Sequence, residues 1–423
     1  MKSFTSGRLP KIALGVSIVW VIAQIVLIAY FWGYPQKDDA GAYISRALNC
    51  FNNKEWYPMM EDVYSTYIVT PGLINFLILQ LRIFGTVNFN AILNLFLNIA
   101  LLLEVYYLGK KFFSERIGLI SVIIFCLLYS NLFIVLGANT ENSFLFLCLS
   151  ALCLVYSGKW KHVIVAALLF AIANWIRPLA IIYILASIVY FFITKAKFYN
   201  YIALIIPYIL VLFIIGTVTE KKTGYFVYQS TTSGYNLLMT AYDNADGYVN
   251  HSIYEEGNVG FIENSHLVTF AEKDSTWQSR SFKWINEHPV KYIALYFKKI
   301  FIVYSTDTWS NNSHWGVSSG LLSGMLNGSF KPSEESFIKK AIKRGSLSIT
   351  YYLTMIFFFY ALWINRNKIH TVKLSFLVIF ITGNIITFIF PAITRYKYPF
   401  IFVIIIYAAW GIDTLIERRA MKK

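Results

Sequence analysis

The chain has 423 residues, of which 57% are hydrophobic, 18% aromatic and only 14% charged, and its mean hydropathy is +0.55. This balance excludes an ordinary soluble domain and predicts an all-α, polytopic transmembrane helical protein. The formal net charge of +15, from 37 Lys and Arg against 22 Asp and Glu, would point a soluble protein toward nucleic acid. Here many of the basic residues fall in short loops between apolar runs, so no nucleic-acid partner is expected.

The first apolar run, Ile12 to Trp32, is about 21 residues long and has no clear small-residue cleavage site after it. It reads as a retained span, because a signal-peptide core runs to roughly 7 to 15 residues. Lys2, Arg8 and Lys11 precede it, which places the N-terminus in the cytoplasm and the segment beyond Trp32 on the far face. That segment, a first outer loop over residues 33–66, carries the adjacent pair Asp38-Asp39. Charge beside hydrocarbon costs roughly 2.5 to 3.5 kcal/mol on insertion scales, so two carboxylates at a helix exit point to use outside the membrane. The plainer alternative is a solvated helix flank.

Further spanning runs are Ala91 to Leu108, Ile117 to Gly137, Glu141 to Tyr156, Val163 to Trp175, Leu179 to Thr194, Tyr201 to Val218, Ser346 to Ile364, Val372 to Phe390 and Phe400 to Ile416. The basic loops KKFFSER, KWK, KAK and NRNK and the tail ERRAMKK are assigned to the cytoplasm. With every basic loop inside, ten spans result, and Tyr67 to Phe84 and Tyr292 to Tyr304 become interfacial or re-entrant segments on the outer face. If both cross instead, there are twelve spans. The expected organisation is an N-terminal transmembrane region (residues 1–218), extracytoplasmic loops with an interfacial helix near 290–304 (residues 219–345), and C-terminal transmembrane helices (residues 346–423). Two polar stretches, Glu220 to Pro289 and Asp307 to Arg344, are far longer than the roughly 2 to 8 residues usual between helices, and long ordered loops carry binding sites.

Three more polar sets fall on the face of Asp38-Asp39. Glu141 starts a helix, where it could merely complement the helix dipole. Arg177 sits in a break before Pro178, where it could snorkel. Arg395-Tyr396-Lys397 closes the short loop before the last helix. Carboxylates can accept a proton or hold a divalent cation, and cations can bind phosphate. Together they describe chemistry on a phosphate-bearing substrate at the membrane surface. Cys126, Cys148 and Cys153 lie in apolar runs and Cys50 stands alone, so neither a disulfide framework nor a C-x-x-C site is present. The six histidines are scattered, with no H-E-x-x-H spacing.

The order of these motifs resembles the polytopic glycosyltransferases of the C superfamily, and within it the protein O-mannosyltransferases and the aminoarabinose and related lipid-linked sugar transferases of bacteria. The resemblance rests on Asp38-Asp39 with Tyr43, Thr70-Pro71-Gly72 leading to Phe84-Gly85, the helix end from Tyr106 to Lys111, Thr140-Glu141, Arg177-Pro178, Gly234 to Leu237, and Arg395 to Pro399. It covers nearly the whole chain. It implies transfer of a sugar from a polyprenyl-phosphate donor to an acceptor on the outer face of the plasma membrane, with inversion at the anomeric carbon. By the same resemblance Asp38 is the general base, with Asp39 the second candidate. Arg177, Arg395 and Lys397 stabilise the departing lipid phosphate, and Tyr43 and Tyr396 belong to the substrate site. Glu141 falls where relatives carry a second acidic residue that binds metal or orients the acceptor. The resemblance fixes no cofactor and leaves a divalent metal on Asp39 or Glu141 open, and the partners are the lipid-linked donor, membrane lipid and a protein, polysaccharide or lipid acceptor. Thr-Pro-Gly stands where some relatives carry a double proline, which leaves the acceptor class open. The rival readings are an O-antigen-type polysaccharide polymerase, against which the first-loop aspartates argue, and a lipid-linked sugar transporter, which should carry more intramembrane charge than Glu104, Lys373 and Asp413.

Overall fold

The computed structural model describes residues 7–310, 344–369 and 371–421. Among them the elements are helices and no strand occurs, as the composition predicts. In chain order the α-helices are α1 (Arg8–Tyr30), α2 (Asp38–Asn52), α3 (Pro71–Phe84), α4 (Phe89–Phe112), α5 (Glu115–Leu127), α6 (Tyr129–Phe133), α7 (Thr140–Val155), α8 (Trp160–Ile176), α9 (Ile181–Ile193), α10 (Phe198–Thr223), α11 (Ser233–Leu238), α12 (Phe270–Glu287), α13 (Pro289–Tyr304), α14 (Ile349–Ile364), α15 (Leu374–Thr387) and α16 (Ile401–Met421). The polar stretch from Asp307 to Arg344 lies outside the described residues except at its two ends.

Among the described residues four helices are long and apolar enough to cross a membrane: α1, α4, α10 and the 28-residue run Thr394–Met421 that ends in α16. At about 1.5 Å per residue each exceeds the roughly 30 Å of a hydrocarbon core. Helix α5 with the segment to Leu136 makes a fifth candidate, bent by 68°. Six other apolar helices, α3, α7, α8, α9, α14 and α15, are shorter. The last span is the core of the bundle, with Phe402, Ile405, Tyr407 and Ala409 fully buried, whereas α1 and α10 leave Leu14, Val19, Ile206 and Phe213 exposed. Apolar side chains pointing outward from a helix of this length suit contact with lipid.

The bend matters for the site. Ile117 to Gly137 is one apolar run in the sequence, but Leu128 adopts an extended conformation (φ −75°, ψ 129°) and the helix breaks there. Backbone groups freed in an apolar interior must find partners, and they do. Asn131 Nδ2 donates to the carbonyl of Phe125 at 2.9 Å, and the buried Asp307 carboxylate accepts from the Ser130 N–H at 3.0 Å. Along α4, Asn90, Asn94 and Asn98 recur at i, i+4 and i+8 and so share one face. Asn90 and Asn94 donate to the Gly137 carbonyl at 3.2 and 2.8 Å, and Asn98 donates to that of Asn131 at 3.2 Å. This ladder pins the irregular segment that leads into Thr140 and Glu141.

The polar segment 225–288 is tied to the chain before α3. Thr231 exchanges two hydrogen bonds with Ile68, Ser230 Oγ accepts from the Thr70 N–H at 2.8 Å, and Lys273 Nζ donates to the Tyr64 carbonyl at 2.8 Å. Helix α13 exposes Val290, Ile293, Phe297 and Phe301, while Lys299 is buried and donates to the carbonyl of Phe388 at 2.9 Å.

Candidate active site

Helix α2 starts at Asp38 after an extended Lys37 (φ −118°, ψ 178°). Both aspartates therefore fall in its first turn, where negative charge is favoured by the helix dipole. The entry is clamped: Gln36 Nε2 donates to the Leu136 carbonyl at 3.0 Å, and Gln36 Oε1 accepts from the Ala138 N–H at 2.9 Å. Those two bonds set the start of α2 beside the start of α7. Asp38 lies in the left-handed region (φ 54°) and its side chain is exposed, while Asp39 turns inward.

Arg395 Nη2 donates to Asp39 Oδ2, and Arg395 Nε lies 3.5 Å from Glu141 Oε1. Glu141 Oε1 in turn accepts from Arg177 Nη1 at 2.7 Å, and the Arg177 guanidinium lies 5.3 Å over the ring of Tyr396. The result is an alternating chain, Asp39, Arg395, Glu141, Arg177, in which two cations balance two anions. Its members come from four distant parts of the sequence. Glu141 is only 2% exposed, so it does more than complement a dipole: unpaired, a carboxylate so placed would be costly. Asp39, at 45%, is the carboxylate that reaches solvent. Arg395 Nε is buried without a hydrogen bond, a donor the ion pairs leave unused. Tyr43, one turn along α2 from Asp39, is buried against the cluster; burial, with the negative charge of Asp39 next, pushes its phenol far up from the ordinary range.

Lys397 does not join this group. Residues Thr394–Phe400 form a 3₁₀ helix, whose threefold repeat turns residues two apart to different sides. Lys397 is buried, donates to the carbonyls of Val303 (3.0 Å) and Thr306, and lies 4.6 Å over the Tyr351 ring. Its contacts are the end of α13 rather than the arginines. Gln36 and the asparagines of α4 escaped the sequence reading, although the Asn90, Asn94, Asn98 spacing is a legible stripe; Gln36 carries no signal of its own.

Among the described residues no group of three or more His, Cys, Asp or Glu side chains comes together. Asp39 and Glu141, the acidic pair available to a divalent cation, both face Arg395, so their charge is already compensated and these donors do not make a metal site as they stand.

Beside the cluster an apolar groove of about 940 Å³ opens between α3, α4, α7, α8 and α10, with Leu73, Phe146, Trp175 and Val218 in its wall and Lys54 and Lys222 among its few charged residues. Its wall includes Ile176, the residue before Arg177, and Ser143, two residues after Glu141, so groove and cluster share helix ends. The Thr-Pro-Gly motif builds this junction. Thr70 Oγ1 donates to the Ile176 carbonyl at 2.7 Å, Pro71 opens α3 where a missing N–H is tolerated, and a Cβ on Gly72 would stand 2.9 Å from the backbone of Trp175 and Ile176.

The chain matches no protein-family model and no curated protein. Solved structures that share its course include those of the oligosaccharyltransferase AglB of the archaeon Archaeoglobus fulgidus. The apo form is 12% identical over 97% of this chain and 52% of that one, with a TM-score of 0.49. The form with an inhibitory peptide and a dolichol-phosphate is 13% identical over 97% and 51%, with a TM-score of 0.48, and the form with zinc and sulfate is 12% identical over 96% and 50%, at 0.49. The chain thus spans about half the length of these proteins. At such identity and TM-score the likeness carries no argument about activity, which is taken from the chain's own residues.

Proposed function

We propose that the chain is a multi-pass membrane glycosyltransferase of the C superfamily type, moving a sugar from a polyprenyl-phosphate donor to a protein, polysaccharide or lipid acceptor. The observation that carries this is the Asp39, Arg395, Glu141, Arg177 chain, two of whose members stand on helix ends that also wall an apolar groove. The groove suits an isoprenoid tail, and the guanidinium groups of the cluster suit the phosphate, which they can grip through paired hydrogen bonds. The proposed setting is the plasma membrane, crossed about ten times, with α3 and α13 at the interface and the charge cluster facing outward.

The pairing also indicates a sequence of events. A lipid phosphate reaching Arg395 competes with the carboxylates for its guanidinium. Glu141 is held by Arg177 and has nowhere to go, whereas Asp39 can swing toward solvent, so phosphate binding releases Asp39. The acceptor hydroxyl then attacks the anomeric carbon from the face opposite the phosphate and gives its proton to Asp39. The carbon–oxygen bond to phosphate breaks with both electrons on the leaving oxygen, where Arg395 and Arg177 stabilise the charge. One displacement inverts the anomeric centre. Asp39 is thereby favoured over Asp38 as the base, since it is the Asp39 carboxylate that pairs with Arg395. A divalent cation would have to displace Arg395 from both carboxylates.

The test is transfer in membranes supplied with polyprenyl-phosphate mannose, glucose, galactose or aminoarabinose. Asp39→Asn is expected to lower the rate about 10²- to 10⁴-fold, the usual worth of a positioned base, and Asp38→Asn to cost less. Wild-type transfer by the Asp38→Asn/Asp39→Asn double variant, or no transfer of any of these sugars by the wild type, overturns the reading.

A further inference from the structure

Asp39, Tyr43 and Arg46 recur at i, i+4 and i+7 along α2 and share one face of that helix. Arg46 stands 5.6 Å over the ring of Tyr67 and donates to the Tyr57 hydroxyl at 2.9 Å and to the Tyr67 carbonyl at 3.5 Å. It therefore holds Tyr67 against the face that presents Asp39. The Tyr67 ring packs at 4.8 Å on that of Tyr235, and Tyr235 stacks on Tyr254 at 4.4 Å with 13° between planes. Trp277 meets Tyr235 edge-on at 5.5 Å and is buried behind it, whereas Tyr67 and Tyr235 are only half-buried. Burial pushes both phenols up, and the charge of Asp39 adds to the push on each while Arg46 opposes it at Tyr67.

The two rings are rigidly mounted from separate parts of the chain. Tyr67 precedes the residues that exchange hydrogen bonds with Ser230 and Thr231. Tyr235 follows Gly234, whose N–H donates to Asp274 Oδ1 at 2.6 Å while Ser233 Oγ donates to Asp274 Oδ2 at 3.0 Å. A Cβ on Gly234 would stand 2.2 Å from the Asp274 carbonyl oxygen, so only glycine lets α11 dock on α12 this closely. None of this framework is needed for the ion pairs. It fixes two half-buried aromatic rings beside the one carboxylate of the cluster that reaches solvent.

We propose that Tyr67 and Tyr235 form the platform for a sugar ring, the C–H face of a pyranose lying on the aromatic rings while Asp39 addresses its hydroxyls. An aromatic face is electron-rich and attracts the weakly positive C–H edge of such a ring, and tyrosine supplies that surface with little side-chain entropy to lose. The proposal deepens the glycosyl-transfer reading and rests on it for the role of Asp39. The ring belongs either to the donor or to a glycan acceptor, and the two are separable.

The full-length chain in detergent is mixed with the methyl α-pyranosides of mannose, glucose, galactose and N-acetylglucosamine, and saturation-transfer NMR reads which ring protons touch protein. Wild type is expected to saturate the C–H protons of one face of at least one ring, Tyr67→Phe/Tyr235→Phe to do the same, and Tyr67→Leu/Tyr235→Leu to lose the signal while eluting as folded protein. If the double variant does not elute so, Tyr67→Leu alone is read in the same way. In the transfer assay the leucine variant should raise one KM about 3- to 10-fold, the size of one aromatic contact, with kcat changed less. A rise for the lipid donor assigns the ring to the donor, and a rise for the acceptor assigns it to the acceptor. No saturation in wild type, or equal saturation in the leucine variant, overturns the platform. Transfer by the leucine variant with both KM values unchanged does so too, while leaving the transfer reading standing. Leucine-sensitive saturation in a protein that transfers no sugar keeps the platform and removes the transfer reading.

Discussion

At the scale of single residues, Arg395 is the hinge of the site, because it alone touches both carboxylates. A lysine in its place keeps the charge but cannot bridge two acids and a phosphate, being a point donor rather than a planar fork. Arg395→Lys is therefore expected to raise the KM for polyprenyl-phosphate sugar at least about tenfold, the equivalent of one 1.4 kcal/mol contact, and Arg395→Ala to raise it further. A lysine variant with wild-type KM would remove Arg395 from phosphate binding. Glu141→Gln leaves Arg177 buried without its counter-charge. Breaking a buried pair from one side costs up to about 3 to 5 kcal/mol, so a clear fall in thermal stability of the purified protein is expected together with lost transfer. A stable, active Glu141→Gln protein would return Glu141 to the role of a dipole-complementing helix start. The sequence made the charges of this site legible but not their partners. Neighbouring Asp38 and Asp39 differ in which way the first turn of α2 directs them, and the 3₁₀ turn sends Arg395 and Lys397 to different partners.

At the scale of elements, α13 shows how burial rather than sequence sets a side chain's chemistry. Lys299 reads as one of two lysines interrupting an interfacial helix, yet it is buried, and desolvation lowers its pKa from 10.5 to about 7. Below pH 7 the folded state bears the cost of a buried ammonium. Between pH 7 and about 10 the unfolded chain binds more protons at this site than the folded one, so stability contributed by Lys299 rises with pH through that window. Thermal unfolding of the detergent-solubilised protein should show that rise, and Lys299→Met should flatten it; an unchanged slope in the variant would assign the pH dependence to other groups. The break in the run from Ile117 to Gly137 has a similar origin. Hydropathy sees one apolar stretch, whereas the fold bends it at Leu128 because Asn90, Asn94, Asn98, Asn131 and Asp307 are placed to accept or donate to the freed backbone.

At the scale of the molecule, the proposed topology can be checked directly. A cysteine replacing Glu256, exposed in the polar segment between α11 and α12, is expected to react with an impermeant thiol reagent in intact cells, and one replacing Lys161 at the start of α8 is not. Labelling at Lys161 from outside would overturn the ten-span topology in favour of one with both α3 and α13 crossing. The helical class followed from composition alone, because a chain this apolar must satisfy its backbone internally. The apolar runs also fall on helices, because a length of apolar residues is a local property, except that Ile117 to Gly137 breaks at Leu128. Which helix became the buried centre, which carboxylate met which arginine, and how Tyr67 came to lie on Tyr235 were decided only in the tertiary structure. Asp39 and Arg395 are 356 positions apart, and a contact of that span depends on the packing of every helix between them, a quantity that no local pattern of residues contains.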